Sequence, residues 1–289
     1  MGFRTVIITQ HCKCSYKNDF MVIRGENLQT IHLSEIDTVI FDSTAVSVSS
    51  YLLCEFMKWK INLLVCDEHH NPNGELLPLY ANYHSSKKIL SQIYWDKAQT
   101  DAMWTRIVHN KISNQAKLLK KYSKIEYLKL EQYLSELEFA DASNREGHAA
   151  KVYFNALFGK DFSRKQDNDI NAALNYGYSL LLSTINKEVL SCGYITQIGI
   201  FHKGEFNDFN LSCDIMEPFR VMVDDIVMQN IPFVFDSDMK YEMLKIFNRT
   251  VLFKDAEYYF SSALSMYTKN ILKCITENKP EEMEFFDVI

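Results

Sequence analysis

The chain has 289 residues, a formal net charge of −6, 47% apolar residues and 24% charged residues. These values are ordinary for a globular protein. The chain has only nine glycines and five prolines, too few for a collagen-like or linker-rich chain. No apolar run approaches the roughly 20 residues of a membrane span. The start, Met1-Gly2-Phe3-Arg4, lacks the apolar region of a signal peptide, and Val6 argues against a myristoylation signal. We therefore expect a cytoplasmic protein with no membrane partner.

Five strands and one helix are predicted in the first 76 residues. The strands cover 5–9, 20–23, 28–33, 38–41 and 61–65, with a hairpin turn at 17–19 and a short helix over 50–59. Turn-forming residues cluster at Asn71-Pro72-Asn73-Gly74. These patterns predict a small β-rich domain that ends at residue 76.

The seven cysteines are best interpreted as free thiols, because their number is odd and five of them are scattered singly. The exception is His11-Cys12-Lys13-Cys14, which could bind zinc only together with a second cluster such as Cys66, His69 and His70. Alternating residues of a β-strand are the favoured interpretation.

The pattern beyond residue 76 is helical. Helices are predicted over 82–122 with a break at 97–100, over 125–139, from Ser143, and over 169–190, 214–229, 239–248 and 255–276. Asp169 is expected to cap the clearest of these helices, and Gly193 to stop it. The sequence therefore predicts an α+β fold, with an N-terminal β domain over 1–76 and a larger all-α C-terminal domain over 77–289.

Basic residues accumulate in the first long helical segment. No acidic residue occurs between 102 and 125, a stretch that contains Arg106, Lys111, Lys117, Lys120, Lys121 and Lys124. The last four share one face if the segment is helical. Such a face suits a nucleic-acid backbone, although a merely solvated face remains an alternative. The acidic tail over 277–289 could shield this surface, dock a partner or be disordered.

Three short segments of the helical half carry residues suited to catalysis. Ser143-Asn144-Arg145-Glu146 has the pattern of a helix capping box, yet Glu146 shares a stripe with apolar residues. Gly199-Ile-Phe-His202 places a histidine among apolar residues and glycines. In Asp214-Ile-Met-Glu217, the two carboxylates share a helical face if Asp214 begins a helix. Each segment alone also has an ordinary structural explanation.

Taken together, Glu146, His202 and Glu217 offer two carboxylates and an imidazole, a donor set that suits Mn²⁺ or Mg²⁺. Such an ion could activate a hydroxyl for attack on a phosphodiester. Periodicity does not show whether the three residues meet. The candidates for holding nearby phosphates are Arg145, Lys151, Arg164, Lys165 and Arg220.

The sequence resembles the family of CRISPR-associated integrase-endonucleases that insert new spacers into the CRISPR array. The resemblance covers essentially the whole chain and includes the compact members from systems with a single large effector nuclease. Four motifs carry it, namely Arg145-Glu-Gly-His-Ala-Ala150 with Tyr153-Phe154, Asp169-Ile-Asn-Ala-Ala-Leu-Asn-Tyr-Gly-Tyr178, Gly199-Ile-Phe-His202 and Asp214-Ile-Met-Glu-Pro-Phe-Arg220.

The resemblance implies that Glu146, His202 and Glu217 are the catalytic ligands of Mn²⁺ or Mg²⁺. Many family members have Asp as the third ligand, so Asp214 is a competing or assisting carboxylate. It also implies that a bound duplex with 3′-hydroxyl ends attacks phosphodiesters at the repeat boundaries. Asn168 and Asn171 are plausible polar contacts near this site, and the basic segment from Arg106 is expected to hold the DNA backbone.

The family assembly implies several partners. We expect double-stranded DNA as both prespacer and CRISPR repeat, a homodimer formed through the β domain, and a dimer of a small ferredoxin-like CRISPR-associated protein in a hetero-hexameric complex. Two alternatives stay open. The chain could be a nuclease for branched DNA that acts without a partner, or a DNA-binding scaffold whose carboxylates are only structural.

Overall fold

The computed structural model describes residue 2 and residues 4–76 and 82–288. The chain divides into two compact units, residues 1–81 and residues 82–289. The domain boundary predicted after residue 76 adjoins residues 77–81, which lie outside the described residues.

The N-terminal unit contains eight strands, one α-helix and a short 3₁₀ turn (Leu33–Glu35) in its described part. In chain order they are β1 (Arg4–Ile8), β2 (Cys12–Lys17), β3 (Phe20–Arg24), β4 (Leu28–His32), β5 (Ile36–Phe41), β6 (Val46–Val48), α1 (Ser50–Trp59), β7 (Asn62–Cys66) and β8 (Pro72–Leu76).

These strands form two four-stranded sheets. One sheet has the order β1-β5-β7-β8, in which the first three strands are parallel and β8 is antiparallel. The other has the order β4-β3-β2-β6, built on an antiparallel meander. Side chains of both sheets and of α1 share one apolar core, which includes Met21, Val39 and Phe56.

All five predicted strands and the predicted helix of this unit are present. Cys12 and Cys14 lie in β2, buried with their sulfur atoms 3.7 Å apart, so the strand interpretation of this segment is confirmed. The turn predicted at 71–74 was wrong in position. The chain turns at 67–70 instead, and Pro72 begins the edge strand β8, where its missing N–H is tolerated.

The C-terminal unit is mostly helical. Its helices are α2 (Ser85–Ile93), α3 (Lys97–Lys121), α4 (Tyr127–Ser135), α5 (Arg145–Phe158), α6 (Asp169–Ser191), α7 (Asn210–Met216), α8 (Arg220–Asn230), α9 (Ser237–Leu244) and α10 (Phe260–Glu277). No helix of the described ranges has both the length and the apolar character needed to cross a membrane.

The two long helices α3 and α6 form the centre of this unit. Helix α3 packs against α4, α5 and α8, and α6 packs against α7 to α10. The approach of α6 to α8 is close enough to require a glycine, because a Cβ atom on Gly177 would lie 2.4 Å from Cγ1 of Val223. The α+β fold, with a β-rich part followed by a mostly helical part, is thus confirmed.

Several details of the helical prediction were wrong. The break expected at 97–100 lies at 94–96, because α3 begins at Lys97 directly after its cap, Asp96. The C-terminal unit also contains a hairpin, β9 (Thr250–Phe253) and β10 (Ala256–Tyr259), where the last helix was expected to begin. At the start of α6, the cap is Asn168, whose side chain accepts a hydrogen bond from the Asn171 amide. Asp169 instead accepts one from the backbone N–H of Phe235.

Candidate active site

Two glutamates converge on one buried lysine at the centre of the helical unit. The Nζ atom of Lys111, in the middle of α3, lies 2.5 Å from Oε1 of Glu146 and 2.5 Å from Oε2 of Glu217. Burial opposes the charged form of this lysine, but Glu217 and Glu146 outweigh it and raise its pKa. The structure therefore brings together two of the three predicted ligands, around a cation.

Glu146 reaches Lys111 because other residues cap its helix. The side chain of Asn144 caps α5 by accepting a hydrogen bond from the Gly147 amide. The carboxylate of Asp141 accepts bonds from the backbone N–H groups of Arg145 and Glu146. The capping-box explanation of Ser143–Glu146 therefore does not hold, and the Glu146 side chain is available for the site.

Glu217 begins a short 3₁₀ turn, Glu217–Phe219, that joins α7 to α8. The side chain of Asn114 on α3 fixes this turn by donating to the Pro218 carbonyl at 2.9 Å. Arg220 pairs with Oε1 of Glu217 at 3.0 Å. Burial opposes ionisation of Glu217, but Arg220 and Lys111 outweigh burial and lower its pKa to about 2. Glu217 is therefore an ionised carboxylate at neutral pH, although it is buried.

Asp214 lies behind His202. Its fully buried carboxylate contacts Nδ1 of the His202 ring and accepts the backbone N–H of Phe201 at 2.8 Å. The hydrogen bond to Asp214 raises the pKa of His202. Asp214 does not begin a helix as considered from the sequence, because α7 begins at Asn210. Asp214 therefore contacts the ring of His202, whereas Glu217 contacts Lys111.

The loop that carries His202 is fixed by an aromatic residue on α3. The ring of Trp104, which is fully buried, stacks on Phe201 with centroids 4.4 Å apart and planes 1° from parallel. The His202 ring meets the same indole edge-on, with centroids 5.5 Å apart. Helix α3 thus positions all three predicted ligands, through Trp104, Lys111 and Asn114.

The donor chemistry fits a hard divalent cation. Two carboxylates already converge on one cationic position, and His202 has the carboxylate on its second ring nitrogen that metal-binding histidines commonly show. This arrangement leaves Nε2 for a ligand. Within the described residues, however, no three His, Cys, Asp or Glu side chains form a ready metal cluster. In this state Lys111, not a third ligand, completes the group.

A cavity of about 150 Å³ opens beside Glu217, lined among others by Lys111, Arg164, Tyr178 and Arg220. The guanidinium of Arg220 lies over the ring of Tyr178, 4.7 Å from its centroid. The hydroxyl of Tyr178 donates to Asp224, which also accepts a bond from Tyr153. This buried network was not predicted from the sequence, although Tyr153 and Tyr178 lie in two of the motifs.

A family model described as CRISPR associated protein Cas1 matches residues 5–232. This chain belongs to the Cas1 family. A CRISPR-associated endonuclease Cas1 from Neisseria meningitidis serogroup C (strain 8013) is 35% identical over 228 residues, which are 78% of this chain and 74% of the relative.

Solved structures share the Cas1 fold. A CAS1 protein from Thermotoga maritima matches 94% of this chain and 97% of its own, with a TM-score of 0.75 and 19% identity. A casposase bound to an integration product matches 96% of this chain and 91% of its own, with a TM-score of 0.73 and 19% identity. A Cas6-RT-Cas1–Cas2 complex matches 99% of this chain but 36% of its own longer chain, at a TM-score of 0.73 and 16% identity.

The basic residues of α3 in this Cas1 protein do not form one free face. Lys111 is buried in the carboxylate site and is not part of an exposed stripe. Lys117 pairs with Asp287 and Lys121 with Asp225, both through close ion pairs. Arg106 donates to the backbone carbonyl of Met283. Lys120 is exposed beside the Tyr127 ring.

The other predicted DNA contacts fall into three groups. Lys151 and Lys165 are exposed, and Arg145 pairs with Glu136 at 3.0 Å. Around the start of α6, Arg164 contacts the side-chain oxygen atoms of Asn171 and Asn175. Asn171 is buried and donates to two backbone carbonyls of the preceding loop, so its polar atoms are already used. Arg220 belongs with Glu217 and lines the cavity.

Proposed function

We propose that this Cas1-family chain is a metal-dependent DNA integrase and endonuclease of CRISPR adaptation, which inserts short double-stranded DNA into the CRISPR repeat array. The observation that carries the proposal is the convergence of Glu146 and Glu217 on one cationic position inside the helical unit. The family match and the relative named a CRISPR-associated endonuclease support it.

Glu146, Glu217 and Nε2 of His202 would hold Mn²⁺ or Mg²⁺. When bound, such an ion supplies positive charge that activates a hydroxyl and stabilises the attacked phosphate. Asp214 keeps the His202 ring oriented through Nδ1. Arg220 and Arg164 line the cavity beside Glu217, where they would hold phosphate oxygens.

The reaction is a transesterification. A 3′-hydroxyl oxygen of the incoming duplex attacks a phosphorus atom at the repeat boundary, forms a new phosphodiester bond and releases its proton to solvent. The bond from that phosphorus to the repeat strand's own 3′-oxygen breaks, and this oxygen takes up a proton as the leaving hydroxyl. Attack by water at the same phosphorus gives hydrolysis, which is the endonuclease activity.

We further propose the partners that this reaction requires. Double-stranded DNA is the substrate as prespacer and as repeat, in keeping with a fold neighbour solved as a casposase bound to an integration product. A small ferredoxin-like CRISPR-associated protein is the second partner, in keeping with a neighbour solved in a complex with Cas2. The chain would act as a homodimer through the β-rich domain over 1–76, in a cytoplasmic hetero-hexamer.

A plasmid assay tests the proposal. Labelled duplex with free 3′-hydroxyl ends is incubated with Mn²⁺, the small partner protein and a repeat-bearing plasmid, using wild type, Glu146→Gln and Glu217→Gln. We expect label joined to the plasmid by wild type and a loss of at least about 100-fold in both variants. Cutting without joining would instead identify a nuclease that acts alone. DNA binding without metal-dependent chemistry would leave only a scaffold.

A further inference from the structure

Lys111 lies between the two glutamates of the candidate site. Its ammonium contacts one oxygen of each glutamate at 2.5 Å, and its side chain is only 9% exposed. Two carboxylates that point at the same position repel one another unless a cation lies between them. The lysine therefore holds the two glutamates together while no other cation is present.

We propose that Lys111 is an internal counter-ion that occupies the place of the divalent cation, so that the cation binds only by displacing the lysine ammonium. The proposal rests on the proposed function, because it takes Glu146 and Glu217 as ligands. It adds that metal affinity and lysine position are coupled, and that the cation-free site is stable because of this lysine.

The charges of the site favour displacement over coexistence. Glu146 and Glu217 contribute −2, and Lys111 and Arg220 contribute +2, so the four groups sum to zero. A divalent cation added to this set would leave a buried excess of +2, which is costly in a poorly solvated site. Departure of the ammonium halves that excess and frees the oxygen atoms that the cation needs.

The surroundings allow the lysine to leave while Glu217 keeps its position. Arg220 holds Oε1 of Glu217, whereas Lys111 holds Oε2, so Glu217 keeps one anchor after displacement. Lys111 also lines the cavity of about 150 Å³ beside Glu217. Its flexible stem can place the displaced ammonium in that cavity, where a DNA phosphate would be its next partner.

The first test compares Mn²⁺ binding by electron paramagnetic resonance in wild type and in Lys111→Met, which removes the charge at similar volume. We expect the variant to bind Mn²⁺ at least about tenfold more tightly, because the competing cation is gone. The melting temperature of the variant in EDTA should be lower than that of wild type. Mn²⁺ should raise the melting temperature of the variant by more than it raises that of wild type. Equal Mn²⁺ affinity in the two proteins would overturn the proposal.

Lys240→Met is the matched control. Lys240 is also a buried lysine, 8% exposed, but its ammonium lies over the rings of Tyr176 and Phe235, whereas the cations paired with the two glutamates are Lys111 and Arg220. Its replacement should leave Mn²⁺ affinity unchanged. A gain in affinity equal to that of Lys111→Met would mean that the gain reflects net charge alone, and would contradict displacement.

A second measurement uses wild-type protein and so does not depend on the variant folding. Acetic anhydride labels accessible lysines, and mass spectrometry reports labelling at Lys111 with and without saturating Mn²⁺. We expect labelling of Lys111 to rise severalfold with Mn²⁺, and unchanged labelling would overturn the proposal. If wild type binds no Mn²⁺, or binds it equally well as Glu146→Gln, then the proposed function fails and not the displacement alone.

Discussion

The ring of Phe286 stacks on the ring of Phe219, with centroids 4.5 Å apart and planes 14° from parallel. Phe219 is the last residue of the turn that begins with Glu217, and Phe286 is 3% exposed among the aromatic rings of α10 and β9. Of the possibilities left open for the acidic tail, disorder does not describe this segment. It packs directly behind the turn that presents a candidate ligand.

Replacing Phe286 with Ala should lower the free energy of unfolding by about 3–5 kcal/mol, as is usual when a buried aromatic side chain is truncated. Urea unfolding followed by circular dichroism measures this change. Phe206→Ala is the control, because the Phe206 side chain is 100% exposed and its loss should cost less than about 0.5 kcal/mol. Equal losses in the two variants would show that the stacked ring contributes nothing specific.

Removal of the Asp287 carboxylate should expose a DNA-binding charge. Asp287 pairs with Lys117 at 2.7 Å, and both side chains are about half exposed. We expect Asp287→Ala to change stability by less than about 1 kcal/mol, since exposed ion pairs contribute little. Its affinity for duplex DNA at low salt should rise, because Lys117 is then free for a phosphate.

Fluorescence anisotropy with a labelled duplex at two salt concentrations checks this expectation. The gain should shrink at high salt and should disappear when Lys117→Ala is combined with Asp287→Ala. A gain that persists in the double variant would show that Asp287 repels DNA without acting through Lys117.

The carboxylate behind the histidine should matter almost as much as a ligand. Asp214→Asn keeps the volume but removes the negative charge that orients Nδ1 of His202. We expect a loss of about 10- to 100-fold in metal affinity, the usual cost of removing such a partner. Isothermal titration with Mn²⁺ measures it. Asp208→Asn, at an exposed position before α7, should have wild-type affinity, and an equal loss there would remove the special role of Asp214.

The stability of the helical unit should respond to the protonation of Asp224. Burial raises the pKa of this carboxyl from 3.8 to about 6, although the hydrogen bonds donated by Tyr153 and Tyr178 lower it. The folded state thus holds the proton more tightly than the unfolded state, so this stabilising effect is present at low pH and is lost as the pH rises from about 4 through 6. Asn at this position cannot ionise.

Melting temperatures of wild type and Asp224→Asn at pH 5 and pH 8 therefore test the effect. From pH 5 to pH 8, the melting temperature of the variant should rise relative to that of wild type, whatever the difference between the two proteins at pH 5. A difference between the two proteins that is the same at both pH values would contradict a raised pKa. Asp208→Asn provides the comparison for an exposed carboxylate.

The sequence indicates the local secondary structure of this fold but says little about contacts between residues that are distant in the chain. The spacing of apolar residues, every second residue in strands and every three or four in helices, located most elements, because it shows which face of each element is buried. The hairpin of β9 and β10 was missed, since its turn residues Lys254 and Asp255 both have positive φ without the Asn-Gly signature that usually indicates such a turn.

The candidate site was predicted in identity but not in arrangement. The motifs pointed to Glu146, His202 and Glu217, yet no spacing rule brings residues 56 or 71 positions apart to one place. Lys111 was assigned to a DNA surface because its neighbours in sequence are basic. A signal was present nonetheless. Lys111 follows Trp104 and Ile107 at seven and four residues, so it lies on the buried stripe of α3.

Helix α3 also limits how sequences of this kind can diverge. Trp104, Lys111 and Asn114 reach the histidine loop, the two carboxylates and the Pro218 carbonyl from a single rigid rod. One inserted or deleted residue between the first two would turn everything beyond it by roughly 100° around the helix axis. Substitutions can accumulate along this rod, whereas a change in its length within those ten positions would separate the histidine from the glutamates. Natural variation in length should therefore be confined to the loops on either side.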